Sequence, residues 1–159
     1  MPAVLPETTI AATVWAVASA PGGPYPASAA RVHTMVAEAN KILRQAAMKV
    51  VWNGTLCTTN RADWYNLVMT SRTPMPGTAE CQLLNCSSGT GGIELYMVNS
   101  IIDMGKVALG VNDNLGMMLC AEADGHTLAH EVLHQCRLKD VFGRNRAVPV
   151  DGPVSAERL

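Results

Sequence analysis

Three side chains near the carboxyl end of the sequence have the types and the spacing of a metal centre. His130 and His134 are four positions apart, and Glu131 directly follows the first of them. On an α-helix, positions four apart lie on one face, so both imidazoles can reach a single cation. Neutral imidazole nitrogen is a common ligand of Zn²⁺. The pattern His-Glu-x-x-His therefore predicts one zinc ion per chain.

Glu131 is the candidate catalytic residue of this pattern. It lies beside the two histidines, where a carboxylate can contact a zinc-bound water without binding the metal itself. Zinc lowers the pKa of that water towards neutrality, and the carboxylate takes its proton as a general base. His126 is one turn before His130, and we expect it near the helix start and not among the ligands.

Asp140 is the candidate for a third zinc ligand. A catalytic zinc usually has three protein ligands, and the fourth position is left to water. On a continued helix, Asp140 would point about 120° away from His134, because it lies six positions further along the chain. The helix must therefore end near Arg137 and the chain must turn back. We expect Arg137 at or just past the helix end, with a positive φ or in a distorted turn that achieves the same reversal.

This segment resembles the signature of the metzincin zinc metallopeptidases, H-E-x-x-H-x-x-G-x-x-H/D. His130, Glu131, His134 and Asp140 fall on its four functional positions, with the rarer aspartate in the last one. The resemblance implies a zinc-dependent endopeptidase, which hydrolyses peptide bonds by general-base attack of zinc-bound water.

The sequence departs from the metzincin signature at two points. Arg137 occupies the position of the glycine, although that turn usually requires a positive φ. No methionine follows Met118, whereas metzincins have a methionine in a turn below the zinc. Residues 1–140 are accordingly predicted to form a catalytic-type lobe. Residues 141–159 are predicted to form a short C-terminal segment. It is either truncated before the methionine turn or typical of a minimal or degenerate metzincin.

Two other functions stay open at this point. A gluzincin-type metallopeptidase would take its third ligand from a later glutamate, and Glu157 is the one candidate. A degenerate relative would bind zinc or a peptide without turnover, through Asp140 and a substrate-binding strand. Replacing Glu131 with alanine separates an enzyme from a binding protein, because it removes turnover and leaves metal and peptide binding.

The elements that position these residues follow from the spacing of apolar side chains. Residues 8–19 predict an early strand, and residues 29–47 predict an amphipathic helix with Ser28 as its N-cap. Residues 48–52 predict a second strand that ends at Asn53 and Gly54. Residues 115–120 predict another strand, and residues 124–136 predict the helix that carries the histidines. We expect an α+β (mixed α/β) fold with a twisted mixed sheet, a long backing helix and an active-site helix.

Residues 93–99 have the clearest strand pattern in the chain. In metzincins, an edge strand antiparallel to the others lines the cleft and pairs with extended substrate, and the resemblance places that strand here. An exposed edge can hold a peptide by β-addition, through backbone hydrogen bonds. The substrate-binding residues of this prediction are Ile93, Glu94, Leu95, Tyr96, Met97, Val98 and Asn99. Residues 74–92 and 103–114, on either side, are predicted to be loops.

The composition excludes several classes of function. A chain of 159 residues predicts one compact domain, and 48% hydrophobic with 16% charged residues is typical of a globular protein. A net charge of −1 argues against nucleic-acid binding, which needs a basic face. No apolar run reaches the roughly 18 residues of a membrane span. We expect a monomer that acts on a peptide or protein substrate.

The cysteines and the N-terminal segment leave the cellular compartment open. Five cysteines cannot all pair within one chain, and Cys81 and Cys86 are either bridged or reduced thiols. Residues 10–20 are apolar, as in the core of a signal peptide. A signal peptide also needs a Lys or Arg before this core, and none is present. We interpret this segment as a strand.

Overall fold

The computed structural model of the chain describes residues 6–71, 75–85, 92–113 and 116–137. The elements in chain order are β1 (Thr8–Ala18), α1 (Ala29–Leu43), β2 (Met48–Asn60), α2 (Ala62–Tyr65), β3 (Asn66–Met69), α3 (Ala79–Leu84), β4 (Ile93–Val98), β5 (Ser100–Asp103), β6 (Lys106–Ala108), β7 (Gly110–Asp113), β8 (Gly116–Cys120) and α4 (Gly125–Gln135). The predicted α+β fold with a mixed sheet is confirmed. In the described ranges, no helix is long and apolar enough to cross a membrane.

The main sheet has five strands in the order β2-β1-β4-β8-β7. The first four strands in this order run parallel, and β7 pairs antiparallel with β8 at one edge. A second sheet has the order β3-β5-β6. The crossover from β1 through α1 to β2 joins two parallel neighbours, as the strand, helix, strand order of the sequence predicts.

Two hydrophobic clusters lie on opposite faces of the main sheet. On the α4 face, residues Leu95, Met97, Met117 and Leu119 pack under helices α1 and α4. On the α3 face, Tyr96, Val98, Met118 and Cys120 pack against α2, α3 and the second sheet. The strict alternation along β4 and β8 follows from the two-residue period of a strand.

Helix α1 begins and packs as its sequence predicts. The Ser28 side chain accepts a hydrogen bond from the backbone N–H of Arg31, which caps the helix start. The buried side chains recur at helical spacing and face the sheet; they are Val32, Met35, Val36, Ala39 and Leu43. The α-helix ends at Leu43 and continues as one 3₁₀ turn over Arg44–Ala46, so it is shorter than the predicted range 29–47.

Strand β2 does not end at Asn53 and Gly54, contrary to the prediction. The register with β1 shifts there, from Ala12 opposite Trp52 to Val14 opposite Leu56. Gly54 has a φ of +85°, and Asn53 Oδ1 accepts a hydrogen bond from the N–H of Thr55 at 2.9 Å. These turn-forming residues therefore make a β-bulge, after which the strand resumes.

Both segments predicted as loops contain regular structure. Helix α3 lies within residues 74–92, and its N-cap Thr78 accepts a hydrogen bond from the N–H of Cys81. Strands β6 and β7 lie within residues 103–114. These elements are three to six residues long, too short for a periodic pattern to stand out in the sequence.

The prediction of an edge strand at residues 93–99 is wrong. Strand β4 covers Ile93–Val98, and it pairs in parallel with β1 on one side and β8 on the other. All six of its residues are buried, as expected for a parallel strand covered on both faces. The set Ile93, Glu94, Leu95, Tyr96, Met97, Val98 and Asn99 is therefore not a substrate-binding edge. The antiparallel edge strand of this sheet is β7.

Candidate metal centre

Helix α4 starts at a strong N-terminal cap. Asp124 accepts hydrogen bonds from the backbone N–H and the hydroxyl of Thr127, at 2.9 and 3.0 Å. These bonds stabilise the carboxylate and, together with nearby His126, hold the pKa of Asp124 below its usual value. His126 itself is exposed in the first turn of the helix, near the helix start as predicted.

Helix α1 fixes the same end of α4 through two polar contacts. Glu38 Oε2 accepts a hydrogen bond from the N–H of Gly125 at 3.3 Å, and Arg31 donates one to the carbonyl of Ala123 at 3.0 Å. A Cβ on Gly125 would lie 2.3 Å from Glu38 Cβ and 2.9 Å from the backbone of Met35. The two helices therefore meet with their backbones in direct contact, which sets where the following turns of α4 lie.

The two histidines converge on the exposed side of α4. The Nε2 atoms of His130 and His134 are 2.9 Å apart, and the rings are nearly perpendicular, at 82°. Two nitrogen ligands of one tetrahedral zinc ion are about 3.3 Å apart, given their usual bond lengths. The observed separation is shorter and is that of a hydrogen bond, so the structure shows that the two ring nitrogens lie together, as their spacing predicts, and the zinc ion stays a prediction.

Glu131 is turned towards strand β7. Its side chain is 4% exposed, whereas His130 is exposed and His134 half-buried. A Cβ placed on Gly110 of β7 would lie 2.8 Å from Glu131 Oε1, so the carboxyl group rests against that glycine. The helix thus presents imidazoles and a buried carboxyl group from adjacent positions.

The end of α4 has the geometry that the sequence predicts. The helix ends at Gln135, and Arg137 has a φ of +65°. The N–H of Arg137 donates to the carbonyl of His134 at 2.7 Å, one of the bonds of a Schellman-type helix end. The prediction of a left-handed turn at Arg137 is therefore confirmed.

The third ligand is not tested by this geometry, because Asp140 lies outside the described residues, as does Glu157. Within the described residues, no three His, Cys, Asp or Glu side chains form a group that could hold a metal ion. The ligand set that the structure brings together is thus the histidine pair, and Asp140 stays a prediction.

Strand β7 borders the site, in a segment that the sequence predicted as a loop. Asn112 Nδ2 donates hydrogen bonds to the backbone carbonyl of Glu131 at 3.1 Å and to Gln135 Oε1 at 2.9 Å. The outer edge of β7 pairs with no other strand of the described residues. The sequence carries no alternating apolar pattern for this strand, which consists of Gly110, Val111, Asn112 and Asp113.

The α3 face of the same sheet holds a second group of carboxyl side chains. Glu80 is 5% exposed, and burial together with the charges of Asp113 and Asp103 raises its pKa from 4.5 to about 7. Glu94, 6% exposed, accepts a hydrogen bond from the hydroxyl of Tyr96 at 2.6 Å. These carboxyl groups are not predicted from the sequence, because strand alternation does not show which face of a sheet each residue will join.

The cysteines in the described residues are free thiols. Cys57 and Cys81 are half-buried, Cys120 is buried and Cys136 is exposed just after α4. Cys86, the other half of the bridge considered from the sequence, lies outside the described residues.

No known protein family matches this chain, and no curated protein matches it either. What supports a metal centre is therefore the geometry of α4 and its neighbours. That geometry joins two converging imidazoles, a buried carboxyl group and a helix end that reverses the chain.

Proposed function

We propose that this chain is a zinc-dependent endopeptidase of the metzincin type. The observation that carries the proposal is the 2.9 Å approach of the His130 and His134 Nε2 atoms, one residue from the buried Glu131 carboxyl group. The positive φ of Arg137 supports Asp140 as the third ligand, since it directs the chain away from the helix axis. One zinc ion per chain is the implied cofactor.

Zinc, when bound by these residues, supplies Lewis-acid chemistry and makes water acidic enough to lose a proton near neutral pH. Glu131 accepts that proton as the general base and returns it to the departing amine nitrogen. The burial of Glu131 strengthens its interaction with the reacting groups, because little solvent screens it. His130 and His134 would hold the metal and would take no part in proton transfer.

The substrate of this proposal is an extended peptide segment, bound along the outer edge of β7. An unpaired strand edge offers backbone N–H and C=O groups that hold a peptide by β-addition, with little dependence on its sequence. Strand β7 lies next to Glu131 through Gly110 and Asn112, so a peptide on that edge would run beside the catalytic carboxyl group. This edge replaces residues 93–99 in the substrate-binding role.

The proposal is tested by measuring zinc content and cleavage of an unfolded protein together. The wild-type chain should bind one equivalent of zinc and cleave an unfolded casein-type substrate, and a chelator should remove both properties until zinc is restored. Glu131→Gln should keep its zinc and lose at least about 100-fold in kcat, the usual contribution of a general base. Glu122→Gln, an exposed carboxyl just before α4, is the matched control and should retain activity.

Two outcomes would replace this proposal. Full zinc binding without cleavage by the wild-type chain would indicate the degenerate relative that binds zinc or a peptide without turnover. Loss of zinc in Glu157→Ala, with Asp140→Ala unaffected, would indicate the gluzincin-type ligand set.

A further inference from the structure

Position 110 is occupied by glycine because a larger side chain would not fit there, and the backbone conformation does not require glycine. It is absent from the residues with positive φ, so its backbone would accept any side chain. A Cβ at this position would nevertheless lie 2.8 Å from Glu131 Oε1, 2.9 Å from Glu131 Cγ and 2.8 Å from Leu119 Cδ2. Contacts this short force a neighbour to move. Leu119 is fully buried in the core, so the Glu131 side chain is the neighbour that can yield.

Asn112, two residues further along β7, contacts the same stretch of α4. Its amide nitrogen bonds the backbone carbonyl of Glu131 and the side-chain oxygen of Gln135. Residues two apart on a strand share a face, so Gly110 and Asn112 both point towards α4. One strand therefore touches Glu131 at its carboxyl group and at its backbone.

We infer that β7 positions the Glu131 carboxylate: Gly110 leaves the space that the carboxylate occupies, and Asn112 holds the helix carbonyl of the same residue. Both are positioning residues that act through Glu131. The inference rests on the proposed function, in which Glu131 must meet a substrate on the edge of β7. In this arrangement, β7 both binds the peptide substrate and positions the general base Glu131. One strand therefore sets the position of the substrate relative to the base.

The kinetic test is a double-mutant cycle between Gly110→Ala and Glu131→Asp on the zinc-loaded chain. Gly110→Ala should lower kcat by about 10- to 100-fold, with KM within about threefold and zinc affinity unchanged, because only the base is displaced. On the Glu131→Asp background, the same change should cost less than about threefold, since the contact of the added methyl group with Oε1 is lost and the carboxylate is already displaced. Equal losses on the two backgrounds would overturn the inference.

The matched control is Gly116→Ala on β8, a glycine of the same sheet whose added Cβ would meet Glu94, Leu84 and Tyr96 instead. Gly116→Ala should change kcat by the same factor in the wild-type chain and in Glu131→Asp. If Gly110→Ala does not fold, Asn112→Ala takes its place. That variant should lower kcat about 10-fold with KM and zinc affinity unchanged, and a rise in KM at constant kcat would contradict positioning.

The same cycle measured by denaturant unfolding of the metal-free chain separates this inference from the proposed function. Coupling between Gly110→Ala and Glu131→Asp should appear in the unfolding midpoints even if the wild-type chain proves to have no peptidase activity. An inactive wild-type chain would refute the proposed function. Additive shifts of the midpoint would refute the contact between Gly110 and Glu131 on which the positioning depends.

Discussion

The two faces of the main sheet bury carboxyl groups in opposite surroundings. On the α4 face, Glu131 lies one residue from a pair of imidazoles and against a glycine that makes room for it. On the α3 face, burial of Glu80 and then the charges of Asp113 and Asp103 oppose its ionisation and raise its pKa to about 7. On one face the buried carboxyl group directly follows an imidazole in the chain, whereas the other face holds a carboxyl group that resists losing its proton.

Strand β7 is the element that the two faces share. Gly110 and Asn112 point to α4, and the alternate residues Val111 and Asp113 belong to the α3 face. A single edge strand thus contributes to the surroundings of both buried carboxyl groups. The comparison teaches that two carboxyl groups can be equally buried in different surroundings, and that for Glu80 the charges of Asp113 and Asp103 add to the effect of burial.

A substitution that disturbs the packing of α4 on α1 should have the largest effect on stability. In Gly125→Ala, the new Cβ would meet Glu38 Cβ at 2.3 Å and the Ala39 backbone nitrogen at 2.9 Å, so α1 and α4 must separate. We expect the free energy of unfolding to fall by at least about 3 kcal/mol, measured by urea denaturation. Gly77→Ala, where the added Cβ meets nothing within 4 Å, is the control and should cost about 1 kcal/mol from its positive φ alone. Equal losses would show that the helices are not in close contact.

The α3 face should give the protein a pH-dependent stability. Because the pKa of Glu80 is raised from 4.5 to about 7, the folded state keeps a proton that the unfolded chain releases. Its contribution is therefore fully present below pH 4.5 and is lost as the pH rises through 7. We expect Glu80→Gln to match the wild type at pH 4.5 and to be more stable at pH 8, by at most about 3 kcal/mol.

Unfolding free energies measured from pH 4 to 8 check this prediction for Glu80. Glu122→Gln, which removes an exposed carboxyl group, should leave the pH dependence of the wild type unchanged. Parallel curves for the wild type and Glu80→Gln would contradict the environment described for the α3 face.

The smallest effect is expected at the end of α4. Arg137 holds a φ of +65°, which costs a side chain up to about 1 kcal/mol relative to glycine. Arg137→Gly should therefore be neutral or stabilising by up to that amount, since glycine also gains entropy in the unfolded chain. Arg137→Ala keeps the strain and should not stabilise. Thermal unfolding of both variants measures the difference, and a destabilised Arg137→Gly would show that the arginine side chain contributes contacts of its own.

The long periodic elements of the fold are predictable from the sequence, and the short ones are not. Helix α1 with its cap at Ser28 follows from residue types and spacing, and the turn at Arg137 follows from the requirement that the chain turn back towards Asp140. The predicted edge strand is misplaced because its position rests on the resemblance; the almost continuous apolar run of β4 is typical of a parallel strand buried on both faces. The true edge, β7, is four residues long and contains a glycine and two polar side chains, which local patterns assign to a loop.

The candidate site divides in the same way. The pairing of His130 and His134 is a property of one helix, so spacing four residues apart is enough to predict it. The contacts of Gly110 and Asn112 with Glu131 join residues some twenty positions apart, and only the packing of β7 on α4 brings them together. Likewise, the raised pKa of Glu80 in α3 depends on its burial and on two carboxyl groups from strands β5 and β7.

Anomalous scattering at the zinc absorption edge, from crystals grown with one equivalent of zinc, tests the metal centre most directly. We expect a single peak per chain at about 2.0–2.1 Å from the Nε2 atoms of His130 and His134, with an Asp140 oxygen at a similar distance. A zinc peak among the carboxyl groups of the α3 face, with both imidazoles out of contact with the metal, would contradict the assignment of the site to α4.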